Sequence, residues 1–206
     1  MGLPPVIQPV AAPNQQVLLD IKPPAYVSFS AEVVPQTIEV LLGAVANLVN
    51  QGHTEIHLLL SSPGGSVMHG ITAYNFLRAL PIKLVTHNIG NVDSIGTVLY
   101  LAGEERYASP HTTFMLHGVA MTAQAATSFF ERNLAEKLAS VQADQARIKG
   151  IYTERSNITE AEAEGYFLGE ITLNSADALQ RGLVHEVRQL SIPAGSPVLQ
   201  LVFNRQ

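Results

Sequence analysis

The sequence predicts an α/β fold, and three observations carry that expectation. Apolar runs of strand length alternate with stretches whose apolar residues recur at helical spacing. Strands separated by helices in this rhythm imply crossover connections and parallel pairing. The chain has 206 residues, 47% of them hydrophobic, enough apolar material for one sizeable core. Only 14% are charged, which excludes a disordered polyelectrolyte. Twelve Lys and Arg against 17 Asp and Glu leave a net charge of −5, so the basic footprint of a nucleic-acid binder is missing and no nucleic-acid partner is expected. The absence of cysteine excludes disulfide scaffolds, thiolate zinc sites and cysteine nucleophiles together. No apolar run approaches the ~18 residues of a membrane span, so no membrane partner is expected. The start, Met1-Gly-Leu-Pro-Pro5, lacks a basic region followed by a continuous apolar one, so no secretory signal is read there and the expected compartment is the cytoplasm.

Residues 1–25 hold six of the twelve prolines and read as an extended arm, one that either lies on a neighbouring subunit or stays disordered. Ala25-Tyr-Val-Ser-Phe29 alternates like a short strand. Pro35 opens a helix with Ile38, Leu41, Leu42, Val45, Leu48 and Val49 on one face, and Gln51-Gly52 ends it. Glu55-Ile-His-Leu-Leu-Leu60 is a buried-type strand, and a helix runs from Val67 to Leu80. Ile82–Thr86 is a second strand of the series; Gly90–Gly96 breaks the chain before a helix over Thr97–Ala102. Thr113–His117 is the next strand. Residues 124–155 contain no proline and read as one long helix with a sparse apolar stripe (Phe129, Leu134, Leu138, Val141, Ile148, Ile151, Tyr152). It reaches further than a compact domain of this size needs, so it is expected to project and find partners. Thr159 and Glu162 form a capping box, Asn174 caps a short helix ending near Gly182, and Leu183–Val187 is a closing strand before the tail 191–206.

Chemistry concentrates in three places. Ser62-Pro-Gly-Gly65 sits between a buried strand and a helix, where glycines let backbone N–H groups turn outward to hold a phosphate or an oxyanion. It lacks the Lys of a P-loop and the third Gly of a dinucleotide fingerprint, and a plain tight turn accounts for it as well. Ser94 stands at the tip of a strand–turn–helix with Gly96 two residues on, a geometry that exposes a nucleophile. Val92 replaces the first Gly of a G-x-S-x-G elbow, and a Ser capping the next helix explains the residue equally well. His117 ends a strand at the edge where the ligands of parallel sheets gather, which makes it a candidate base for Ser94. Of the seven histidines, His53, His69 and His111 read as surface or loop residues, His57 as a core residue, and His87 as the competing base.

Four motifs stand in this order: Ser62-Pro-Gly-Gly65, Gly90-Asn-Val-Asp-Ser-Ile-Gly96, Arg106-Tyr-Ala-Ser-Pro110 through Met115-Leu-His117, and Asn174-Ser-Ala-Asp-Ala178 through Gly182-Leu-Val184. With them the chain resembles the proteolytic subunit of the Clp protease over residues 25–187. The resemblance implies a ClpP/crotonase-like α/β fold of stacked βαβ units with a protruding long helix, the peptidase domain spanning 26–190. It implies Ser94 as nucleophile, His117 as general base, and the N–H groups of Gly65 and Ile95 as oxyanion hole. The family's third carboxylate lies twelve residues before the Gly of Gly-Leu-Val, where this chain has Glu170. The triad therefore reads Ser-His-Glu, with Asp177 as the other carboxylate in range. Asp93 stands where the family usually has a small residue, and Gly118-Val-Ala-Met replaces its usual Gln-Pro.

The function this implies is serine endopeptidase action on peptides or unfolded polypeptide, with no cofactor and no metal. The assembly implied is a homo-oligomer of stacked heptameric rings. An ATPase unfoldase is the partner the resemblance names, but the arm does not resemble the family's axial loops. Other readings keep the fold and change the chemistry: an acyl-CoA enzyme of the crotonase type, a non-enzymatic assembly protein, or a Ser-Lys peptidase using Lys137.

Overall fold

The computed structural model describes residues 22–121 and 129–203. Most of the expected arm, residues 124–128 of the expected long helix and the last three residues of the tail lie outside these. The elements are β1 (Ala25–Ser30), α1 (Pro35–Asn50), β2 (Glu55–Ser62), α2 (Val67–Ala79), β3 (Lys83–Asp93), α3 (Gly96–Tyr100), β4 (Glu105–Ala108), β5 (Thr113–His117), α4 (Glu131–Arg155), α5 (Glu160–Leu168), β6 (Glu170–Asn174), α6 (Ser175–Gln180), β7 (Glu186–Val187) and β8 (Val198–Gln200).

One sheet organises them, in the order β6-β5-β3-β2-β1-β8, with β4 on β3 and β7 on β4. Every pairing is parallel except β5 with β6. β1 and β2 read as near-continuous apolar runs because helices cover the sheet. Ile56, Leu58 and Leu60 are completely buried, as are Val27 and Phe29 beside them, each contributing about 1.5–3 kcal/mol. The predicted face of α1 is the buried one: Ile38, Leu41, Val45 and Leu48. The capping box at Thr159 forms, the Thr159 Oγ1 accepting from the Glu162 N–H, and Asn174 caps α6 through the Asp177 N–H.

The course of β3 differs from the sequence expectation, and the site depends on it. Instead of ending near Thr86, the strand continues to Asp93. Its first half, Val85–Asn88, pairs β4, and its second, Asn91–Asp93, pairs β5. Between them the register against β2 slips: Leu60 faces Asn88, but Ser62 faces Val92. A bulge of this kind bends a strand away from one neighbour toward another. The Asn88 side chain staples it, donating to Thr113 O at 2.8 Å and accepting from the Gly90 N–H at 3.0 Å. A Cβ on Gly90 would stand 2.8 Å from Ser61 Oγ, so a larger residue there would push the Ser61 hydroxyl aside. β4 and β6 have no counterpart in the sequence expectation; both are short and become strands by pairing with β3 and β5.

α4 is attached at one end only. Residues 131–140 are all exposed, and Ile148 and Tyr152 are its buried side chains. Its C-terminus is tied down by Arg106, 4% exposed, which donates to the carbonyls of Arg155, Gly182, Leu183 and Gly103 at 2.7–3.2 Å. Burial lowers the Arg106 pKa to about 10. The tail returns to the sheet, Val198–Gln200 pairing the outer edge of β1.

Candidate active site

Ser94 directly follows β3 and His117 ends β5, and these are adjacent parallel strands with Asp93 opposite Met115. The Ser94 N–H donates to Met115 O at 2.7 Å. That contact carries the chain past the end of β3 and brings the Ser94 Oγ within 2.8 Å of His117 Nε2. Ser94 has φ +54°, the left-handed region, and is the one non-glycine among the described residues that does. Such a conformation costs on the order of 1 kcal/mol and persists when its surroundings over-determine it. Here the Ser94 carbonyl is held by the Thr97 N–H at 3.0 Å and the Thr97 hydroxyl at 2.6 Å.

The Ser62-Pro-Gly-Gly65 turn lies against Ser94. Gly64 and Gly65 have φ of +91° and +141°, and a Cβ on Gly64 would stand 2.6 Å from the Ser94 Cβ. Only glycine permits that approach. The segment after β1 clamps the turn: Val33 N–H donates to Gly64 O, and Ser66 N–H to Val33 O, both at 2.7 Å. Among the described residues, no hydrogen bond uses the N–H of Gly65 or of Ile95. Ser94, His117, Gly65 and Ile95 line one cavity of about 110 Å³, walled on the other side by Val67, Ile148 and Tyr152.

Glu170 faces His117 directly across the antiparallel β5–β6 pair. Directly paired residues lie on the same face of a sheet. Glu170 is exposed, and among the described residues no hydrogen bond joins its carboxylate to His117. Asp177 sits in the first turn of α6, where a carboxylate favours the helix dipole. Asp93 accepts from the Asn91 amide at 2.6 Å and does not line the cavity. Lys137 lies over the Phe129 ring on the exposed half of α4.

His87, the competing base, is buried elsewhere. Its Nε2 is 2.9 Å from His57 Nδ1, and His57 Nε2 is 2.9 Å from a Glu55 carboxylate oxygen. Burial, then the neighbouring His57 and Arg188, lower its pKa to about 3. His53, read as a surface residue, is 6% exposed, with its ring nitrogen on Pro23 O. Tyr152 and Thr97 belong to the site and carried no signal beyond an apolar stripe and a helix start. Among the described residues no three His, Asp or Glu side chains cluster as a metal site requires. None of their helices is long and apolar enough to cross a membrane.

Comparison with known proteins bears on the family and the fold. The profile of the Clp protease family matches residues 22–190. The proteolytic subunit 2 of an ATP-dependent Clp protease from Pseudomonas aeruginosa is 28% identical over 144 residues, 67% of this chain and 70% of that protein. A proteolytic subunit 2 from Thermobifida fusca is 42% identical over 65 residues, about a third of either chain. Among solved structures, a ClpP1 mutant from Listeria monocytogenes superposes with a TM-score of 0.72 at 20% identity, covering 80% of this chain and 91% of its own, a likeness of fold. A profile match across most of the chain, joined to this strand order and this turn, decides its kinship: the chain belongs to the Clp protease family.

Proposed function

We propose that the chain is a serine endopeptidase acting on peptides or unfolded polypeptide. The observation that carries this reading is the 2.8 Å contact of Ser94 Oγ with His117 Nε2 beside a cavity also lined by Gly65 and Ile95, whose backbone N–H groups make no hydrogen bond among the described residues. In this reading the Ser94 hydroxyl donates to His117 Nε2 and attacks the scissile carbonyl as His117 takes the proton. The carbonyl oxygen becomes an oxyanion held by the N–H groups of Gly65 and Ile95. His117 then protonates the leaving amine, and water hydrolyses the acyl-enzyme by the same relay in reverse. Glu170, across the strand pair from His117, is the carboxylate that steadies the imidazolium.

The enclosing assembly belongs to the same proposal. Leu134 and Leu138 on the free half of α4 are 54% and 58% exposed, with Phe130 beside them at 79%. Residues of this kind on an otherwise polar helix mark a protein–protein contact, and stacked rings of this chain would cover them. The site would then face an inner chamber that only extended chains enter. Relatives named as proteolytic subunits of an ATP-dependent protease support the substrate class.

The test is covalent and kinetic. A fluorophosphonate is expected to label Ser94, and Ser94→Ala to lower peptide hydrolysis by several orders of magnitude with an unchanged melting curve. Parent-level cleavage by purified Ser94→Ala would overturn the mechanism.

A further inference from the structure

The Ser94 carbonyl is held by a short chain of hydroxyls. Thr97 Oγ1 lies 2.6 Å from that carbonyl oxygen and 2.7 Å from the Tyr152 hydroxyl. A threonine has one hydroxyl proton. A carbonyl oxygen only accepts, so that proton goes to Ser94 O. The bond between Thr97 and Tyr152 is then donated by Tyr152. The order is Tyr152 O–H to Thr97 Oγ1, and Thr97 O–H to the Ser94 carbonyl.

That carbonyl shares a rigid peptide plane with the N–H of Ile95. In a trans peptide the two bonds point in opposite directions. Whatever fixes the Ser94 carbonyl therefore also fixes the direction of the Ile95 N–H, beside the cavity that Ile95 lines. Donation to the carbonyl also polarises the amide, and consecutive hydrogen bonds strengthen one another in a medium of low dielectric. The medium here is of that kind: Thr97 is fully buried and Tyr152 2% exposed. Burial pushes the Tyr152 hydroxyl up to about 12, so it remains a protonated donor across the working pH range.

We propose that Tyr152 and Thr97 are positioning residues that set the Ser94–Ile95 peptide, and through it one of the two oxyanion donors. The proposal rests on the reading of Ser94 as nucleophile. It also gives α4 a second role, because the helix is anchored to the body by Ile148 and Tyr152. The end of the projecting helix is thus wired to the nucleophile turn.

The test uses the full chain with a fluorogenic peptide and a peptide aldehyde, which adds to Ser94 and forms the same oxyanion. Removing an oxyanion donor outright costs about 10²–10³ in turnover; misaiming one is expected to cost less. Tyr152→Phe and Thr97→Val each keep the shape and delete a hydroxyl, and each is expected to lower kcat roughly 5- to 50-fold with KM within about twofold. Thr97→Ser keeps the hydroxyl and is expected to stay within about threefold of the parent. Aldehyde affinity is expected to fall in proportion to kcat/KM across the three variants. A defect of packing alone would not produce that proportionality, nor its rescue by serine. If folded Tyr152→Phe and Thr97→Val turn over at the parental rate, or lose activity with aldehyde affinity unchanged, the positioning role is overturned while the nucleophile stands. If Ser94→Ala is itself active, the underlying reading fails instead.

Discussion

Ser94 shows how one backbone angle is enforced by many neighbours. Its φ of +54° is opposed by its own Cβ. The turn survives because Met115, Thr97 and the two glycines of the adjoining loop leave no other course for the chain. In the proposed triad the carboxylate that keeps the His117 ring in one tautomer is Glu170, its register partner across the β5–β6 pair. Glutamate carries one methylene more than aspartate, a length suited to reaching across a strand pair. Glu170→Gln is expected to lower kcat by at least tenfold with peptide KM little changed, since the amide no longer stabilises the imidazolium. Asp177→Asn is expected to leave kcat near the parent's, because that side chain serves the helix start. Steady-state kinetics on both variants check this, and the opposite pattern would assign the third carboxylate to Asp177.

At the scale of elements, the β2–β3 pair carries a buried polar contact away from the site. Glu55 accepts from His57 Nε2–H, so His57 Nδ1 is left to accept from His87 Nε2–H. Tyr26 packs on the His57 ring and Tyr107 on the His87 ring, with Arg188 over the Tyr107 ring. His87 stays neutral in the fold down to about pH 3, whereas in the unfolded chain it titrates at its ordinary 6.5. The unfolded state therefore binds more protons between those values, and stability falls as the pH drops below 6.5. One proton contributes about 1.4 kcal/mol per pH unit. Denaturant unfolding at pH 7 and pH 5 is expected to show a loss that His87→Gln reduces by up to about 2 kcal/mol. An identical loss in the variant would mean that other groups carry the acid sensitivity.

For the whole molecule, the proposed assembly rests on the geometry of α4. A helix of 25 residues is about 37 Å long, and one end of it is fastened. The free half presents Leu134 and Leu138 one turn apart, with nothing among the described residues to cover them. Aspartate at both positions is expected to split the oligomer and reduce peptidase activity, since burying unpaired charges at an interface is costly. Light scattering with a parallel activity assay checks it, and an active parental monomer would remove the chamber from the proposed function.

The sequence by itself determined the class of fold, the order of the main elements, and the two side chains that meet at 2.8 Å. These follow from local causes: hydrophobic period, Pro35 at a helix start, the caps at Thr159 and Asn174, and glycines at a strand–helix turn. The tertiary structure alone decided where β3 bends. That bend depends on Asn88 finding Thr113 and brings Gly90 close to Ser61, contacts 25 and 29 residues apart along the chain. β4 and β6 are strands for the same reason, being too short to declare themselves without their partners. The burial of His53 and His87 and the hydroxyl chain from Tyr152 to Ser94 also arise between elements. Periodicity reports which face of a helix is apolar, but not that a tyrosine on that face will meet a threonine 55 residues earlier in the chain.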